Sequence, residues 1–398
     1  MDLYVVAAQW IGLALLASLI SVRLGVSIAL AEIAVGVAAG NLWEVPQTQW
    51  VTFLASVGAV LLTFLAGVDI DTKVLRAKLL ETVSIGFVSF LLPFLAALAW
   101  AYWGFRWDLE ASLLAGIALS TTSVAVVYAV MVETGLNKSE LGKVILAACF
   151  VTDLGTVVAL GIFFTRPGVE LLIFVVATAV VLVALPRFTR FFFRRYGERV
   201  SEPEIKYLLL VLFGLGALAD VAGSEAVLPA YLAGLVLADT FGGRPELARR
   251  MRSLTFALLT PFYFIRAGLL VSFGAVVSGF FAIVVFLVIK VAAKFAGVLP
   301  LTRAFGYSPR NGMYTTLMMS TGLTFGSISA LYGLDNGIID QQQYSVLVTV
   351  VIASAVVPTL IAQSFFRPHE EIAAVHAEEA ERNGEPAGEA GASEEETR

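Results

Sequence analysis

Apolar residues fall along this chain in thirteen long runs, at about residues 3–22, 26–40, 51–68, 82–104, 111–132, 144–164, 169–186, 207–222, 226–240, 254–270, 275–300, 312–333 and 344–366. Short polar segments rich in Gly, Pro, Lys and Arg separate them. A helical run of about 20 apolar residues covers the hydrocarbon core of a bilayer. Within that core every backbone N–H and C=O must bond inside the protein, and runs this long do so as helices rather than barrel strands. The pattern predicts an all-α polytopic membrane protein with thirteen transmembrane helices. Met1-Asp2-Leu3 lacks the basic opening of a secretory signal, so the first run is read as a retained spanning helix.

Loop charge orients the bundle. The odd-numbered loops hold Arg23; Lys73, Arg76 and Lys78; Lys138 and Lys143; six basic residues between Arg187 and Lys206; four between Arg244 and Arg252; and Arg303 and Arg310. The even-numbered loops hold only Arg106 and Arg166. Basic residues stay on the cytoplasmic side, which puts the N-terminus outside, the C-terminus inside and the chain in the plasma membrane. The basic loop between runs seven and eight is read as facing anionic lipid, not nucleic acid. From Arg367 the composition turns to Glu, Ala, Gly and Pro, so residues 367–398 are read as a disordered acidic cytoplasmic tail.

Composition narrows the chemistry. The 398 residues are 59% hydrophobic and 14% charged, with mean hydropathy +0.87. A soluble protein carries about 25% charged residues. Cys149 is the single cysteine, so an intrachain disulfide is excluded, and both histidines, His369 and His376, lie in the tail. The membrane part thus has no Cys/His metal site. A membrane-embedded hydrolase would need paired aspartates or an H-E-x-x-H helix, and the membrane part has no histidine. No G-x-G-x-x-G follows a predicted strand, so neither a nucleotide-binding domain nor a cofactor is expected.

The two halves repeat. Ile33-Ala34-Val35-Gly36-Val37-Ala38-Ala39-Gly40-Asn41 in helix two resembles Tyr231-Leu232-Ala233-Gly234-Leu235-Val236-Leu237-Ala238-Asp239 in helix nine. Phe64-Leu65-Ala66-Gly67 pairs with Ile265-Arg266-Ala267-Gly268, and Ser120-Thr121-Thr122 with Ser320-Thr321-Gly322, at offsets of 198, 201 and 200. Seven helices separate the partners, so the halves face opposite ways, as in the inverted-topology repeats of secondary transporters. Such folds bind ions at the midplane beside two broken helices. Helices five and twelve are the candidates, with Ser120, Thr121, Thr122 and Ser123 in one, and Ser320, Thr321, Gly322 and Thr324 in the other. Their hydroxyls and freed carbonyls can ligate a monovalent cation; the competing reading is that each hydroxyl bonds back to its own helix.

Asp153 is the sole charged residue in the run Val144–Phe164. A mid-membrane carboxylate costs at least ~2.5 kcal/mol to insert and by default lines an ion or proton path. Lys294 and Lys290, one turn apart in helix eleven, are the candidate counter-charges. Arg266 is read as structural, paired with Glu225 or Asp220. Glu32 opens helix two, and Asp69 and Asp71, beside Lys73, are read as a solvated helix end.

With these residues in view, the chain resembles the monovalent cation:proton antiporter superfamily, in its Kef-type and NapA-like branch, over about residues 5–366. Leu65-Ala66-Gly67-Val68-Asp69-Ile70-Asp71 is similar to that branch's helix-three signature. Phe150-Val151-Thr152-Asp153 is similar to its ion-site motif, and Ala230-Tyr231-Leu232-Ala233-Gly234-Leu235-Val236-Leu237-Ala238-Asp239 to its helix-nine signature. The resemblance implies an NhaA/NapA-like antiporter fold over 1–366, with two broken crossing helices and a homodimer. Helices four to six and eleven to thirteen would form a moving core, the others the scaffold and dimer interface. It further implies exchange of Na⁺ or K⁺ for H⁺ at Asp153, with Thr152 beside it and Lys294, rather than Lys290, as its partner.

The departures are Thr152, where relatives often carry a second acidic or an amide residue, and Leu323-Thr324, where relatives often carry a Glu. One acidic ligand remains, so a proton and a dehydrated cation compete for the same oxygens. The alternative function is a gated monovalent cation (K⁺) channel-like efflux system. A channel needs a continuous multi-site path, which a lone midplane carboxylate does not supply.

Overall fold

The computed structural model of the protein describes residues 3–43, 45–69, 76–164, 169–197, 199–224 and 226–383, and every regular element among them is helical. The first half contains α1 (Leu3–Leu24), α2 (Ile28–Leu42), α3 (Gln49–Val68), α4 (Leu79–Ala99), α5a (Leu109–Ser120), α5b (Val124–Glu133), α6 (Glu140–Phe164) and α7 (Val169–Tyr196). The second contains α8 (Pro203–Val221), α9 (Val227–Gly242), α10a (Pro245–Leu254), α10b (Thr260–Leu269), α11 (Phe273–Ala304), α12a (Pro309–Met319), α12b (Thr324–Asp335), α13 (Gln341–Phe365) and α14 (His369–Asn383). Among the described residues, nine helices are long and apolar enough to cross a membrane, counting broken helices as one. Two shorter apolar helices, α2 and α9, have 15 and 16 residues. In α10 a charged segment with Arg249, Arg250 and Arg252 joins the apolar α10b through a π-turn.

The small-residue motifs are helix crossings. Gly36 and Gly268 face each other where α2 crosses α10b: a Cβ on Gly268 would meet the Val37 nitrogen at 2.7 Å and the Gly36 Cα at 2.9 Å. Gly67 of α3 and Gly234 of α9 form the matching crossing, where a Cβ on either would strike the other helix's backbone. Only glycine permits backbones this close. Beyond these crossings α4 to α6 pack with α11 to α13, and α1 to α3 with α9 and α10. The stacked rings of Phe150 on α6 and Tyr231 on α9, 4.1 Å apart, lie between the two groups.

Local caps set the helix starts. Asp108 caps α5a by accepting from the Ala111 N–H, and Ser308 caps α12a by accepting from the Asn311 N–H. Asp340 and Gln343 make a reciprocal capping box at α13.

Two sequence expectations are corrected. The tail is helical over His369–Asn383, and the Asn311 side-chain amide donates to Glu371 at 3.1 Å; alternating Glu with Ala is compatible with helix once the first turn docks on the bundle. Residues 384–398 lie outside the described residues. Asp69 is not a solvated end. Its carboxylate, 9% exposed, accepts from Arg252 Nη2 at 2.5 Å, Asn137 Nδ2 at 2.6 Å and the Tyr128 hydroxyl at 3.0 Å. Arg252 Nε also donates to the Tyr128 hydroxyl, at 3.1 Å. The charged α10a carries Arg252 over the end of α3, a contact invisible in sequence. Asp71 and Lys73 lie outside the described residues.

Candidate ion site

Both hydroxyl-rich stretches break their helices. Between α5a and α5b residues 121–123 leave the helix, and between α12a and α12b residues 321–323 do so. The hydroxyls divide into two sets. Ser120 and Thr121 donate back to Ile117 O and Ala118 O, and Ser320 and Thr321 to Thr316 O and Met318 O. These four follow the back-bonding reading, which still leaves their lone pairs able to accept. The others tie the breaks together. Thr122 Oγ1 donates to Met319 O at 2.8 Å, and the Ser123 N–H to Thr321 O at 3.2 Å. Ser123 Oγ and Thr324 Oγ1 share a hydrogen bond at 3.2 Å. Gly322 carries no side chain at a point where a Cβ would run into Lys290 Nζ.

The lysines serve different breaks. Lys294 Nζ donates to Ser120 O and Thr122 Oγ1, both at 2.9 Å, and to Ser89 Oγ of α4 at 2.8 Å. It thereby covers carbonyl oxygen freed at the end of α5a, where the helix dipole favours a cation. Lys290 Nζ donates to Ser354 Oγ of α13 at 2.9 Å. Both lysines are fully buried.

Asp153 sits on α6 with 4% exposure, and its Oδ1 has no hydrogen-bond partner. The direct Asp153–Lys294 ion pair expected from the sequence is not formed, and Lys290 makes none either; the donors of Lys294 are engaged at the α5 break. Thr152 Oγ1 donates to Cys149 O at 2.6 Å, so its lone pairs, not its proton, remain for a ligand. Cys149 lies against Met319 of α12a, Sγ to Sδ 3.8 Å. An unpaired buried carboxylate oxygen is costly, so the arrangement is ready to take a proton or a cation.

A cavity of about 510 Å³ is lined, among others, by Phe53, Asp220, Tyr263, Arg266 and Thr324. Asp153 is not among its lining residues. Tyr263 and Thr324, both in its lining, share a hydrogen bond between the Tyr263 hydroxyl and Thr324 Oγ1 at 2.5 Å. Arg266 and Asp220 share this cavity without an ion pair between them, and Arg266 Nε is buried without a partner; Glu225 lies outside the described residues. The Asp69–Arg252 cluster closes the opposite end of α3. Glu32 is 1% exposed, with Oε2 unpartnered, one turn beyond Ile28, whose N–H donates to Glu133 at 2.9 Å. The sequence reading passed over Tyr263, Ser89, Ser354 and Arg252. Each serine is one of several hydroxyls in its apolar run, and nothing in sequence singled out these or Tyr263.

The candidate site thus consists of two helices broken at hydroxyl-rich stretches, a buried lysine at each break, and a buried carboxylate on α6, which packs against both broken helices. A solved structure supports the fold: the sodium proton antiporter MjNhaP1 of Methanocaldococcus jannaschii matches with a TM-score of 0.68 at 14% identity, covering 92% of this chain and 100% of that one. Among curated proteins, the probable Na(+)/H(+) antiporter 3 of M. jannaschii is 24% identical over 85% of this chain and 89% of its own length. The Na(+)/H(+)-K(+) antiporter GerN of Bacillus cereus is 24% identical over 88% and 93%. Residues 11–367 match the family described as sodium/hydrogen exchanger, transmembrane. The chain belongs to that family; it is a multi-pass membrane transporter of the monovalent cation:proton antiporter superfamily, not an enzyme.

Proposed function

We propose that this protein exchanges Na⁺ or K⁺ for H⁺ by alternating access, with Asp153 as the shared carrier of cation and proton. The observation that carries the reading is the unpartnered Oδ1 of a buried carboxylate while both nearby lysines are engaged elsewhere. A proton satisfies that oxygen; so does a dehydrated cation completed by Thr152 Oγ1 and the oxygens freed at the breaks. The two exclude each other, so each reorientation of the loaded core exchanges one for the other. Relatives named as Na⁺/H⁺ and Na⁺/H⁺-K⁺ antiporters favour both cations as substrates.

Helix registers support an inverted repeat of thirteen spans. α5a and α12a begin at 109 and 309, α5b and α12b at 124 and 324, and α6 and α13 each have 25 residues, beginning at 140 and 341. In this reading α4 to α6 and α11 to α13 are the moving core, and the other helices are the scaffold and homodimer surface. The loop charges put the N-terminus outside and the C-terminus in the cytoplasm. The cavity above Tyr263 is then the external entrance, and the Asp69–Arg252 cluster holds the cytoplasmic side shut. The test is proton flux in everted vesicles with Na⁺, K⁺ or Li⁺ added singly. Flux elicited by at least one of these ions supports the proposal, and none above the empty-vesicle background refutes it.

A further inference from the structure

The registers that relate α6 to α13 carry position 153 onto 354, so Ser354 stands in the second half where Asp153 stands in the first. Ser354 Oγ accepts from Lys290 Nζ at 2.9 Å and donates to Val351 O at 2.7 Å. Lys290 Nζ lies against Gly322, at the α12 break, where a Cβ would also come within 3.1 Å of Ser354 Oγ and 3.2 Å of Thr121 Oγ1. An ammonium group therefore sits among hydroxyl oxygens beside a broken helix. Oxygens from broken helices are the surroundings that transporters of this architecture offer a monovalent cation, and an ammonium is close to K⁺ in size.

We propose that Lys290 is a tethered cation: its ammonium fills, at the α12 break, a second cation position related by the repeat to the Asp153 site, and so holds the protein to one exchangeable cation. The division of labour follows from geometry. Lys294 is committed to the α5 break through Ser120 and Thr122, and Lys290 to the α12 break through Ser354. Gly322 is required because Nζ occupies the space a side chain would take. Where the first half offers an acid, the second offers only a serine, a partner that suits a built-in ammonium and gives a free cation no charge. This inference rests on the assignment of Asp153 as the exchangeable site.

The test counts bound cations on the purified full-length protein, with ²²Na⁺ or ⁸⁶Rb⁺ and monodispersity as the check on folding. The unmodified protein is expected to bind one cation per protomer, Asp153→Asn none, and Asp153→Asn/Lys290→Met/Ser354→Asp one. A folded triple variant that binds no more than Asp153→Asn overturns the proposal. Ser354→Asp alone keeps the lysine and supplies the test if the triple variant does not fold. It is expected to bind one cation, as the unmodified protein does, because the new carboxylate pairs with Lys290; two bound cations with the lysine in place would overturn the proposal. If Asp153→Asn still binds a cation, the carrier assignment fails, whereas the difference between that variant and the triple variant still reads the role of Lys290.

Discussion

Replacing Arg252 with Leu tests whether the Asp69 cluster is a latch between two moving bodies. Asp69 and Arg252 belong to α3 and α10a, whereas Tyr128 and Asn137 belong to α5b and the turn after it. Breaking a fully buried ion pair costs about 3–5 kcal/mol. Here Arg252 is 24% exposed, water can reach the vacated place, and Asp69 keeps its bonds from Tyr128 and Asn137. That pair lies within one body, however, so the shift between the bodies comes only from the lost bond of Arg252 Nε to the Tyr128 hydroxyl, at most ~2 kcal/mol, within the range of one charge-assisted hydrogen bond. At about 1.4 kcal/mol per factor of ten, that is roughly a thirtyfold shift toward states with this end open. Hydrogen–deuterium exchange over residues 124–138 and 245–254 reads it directly, with up to about thirtyfold faster exchange expected for Arg252→Leu. Tyr128→Phe removes two bonds that cross between the bodies and keeps the ion pair within one, and should speed exchange at least as much. Unchanged exchange in both segments, alongside a lowered melting temperature, would show a static tie and refute the latch.

Gly268→Ala should lower stability by about 1–3 kcal/mol, because the added methyl meets the α2 backbone rather than a side chain that can move; thermal melting of the purified protein checks this. Truncation after Asn383 removes an acidic, apolar-poor segment and should leave the melting temperature unchanged. Truncation after Pro368 removes the buried Val375 and the Glu371–Asn311 bond, and should lower it by a few degrees. With one carboxylate as carrier, exchange should be one for one: in liposomes clamped at set potentials, the pH gradient at which net flux stops should not move with potential. A null point that moves would mean more than one proton per cation.

Much of this architecture is legible in the sequence because membranes leave few choices. Long apolar runs fix the helices, and the spacing of Gly36, Gly67, Gly234 and Gly268 marks where they cross. Asp153 is conspicuous as a lone carboxylate in an apolar run, and the hydroxyl clusters at Ser120–Ser123 and Ser320–Thr324 mark the two breaks. What sequence could not supply is partner choice. Lys294 and Lys290 lie one turn apart on the same helix, so either could have served Asp153; packing sends each to a different break. Asp69 is likewise ambiguous, since an acid at a helix end is equally at home in water or under an arginine 183 positions further along. Tyr263 is one aromatic among several in its run, and only the folding of α10b toward α12b gives it a place beside Thr324.

The central claim is that Asp153 carries both ions, and the most direct measurement is cation-driven proton flux in liposomes reconstituted with Asp153→Asn. The amide fits the same space on α6 but neither carries a charge to hold a cation nor releases a proton near neutral pH. The variant should insert, remain monodisperse and show no flux with Na⁺ or K⁺ above protein-free liposomes. Flux retained in that variant would contradict the account.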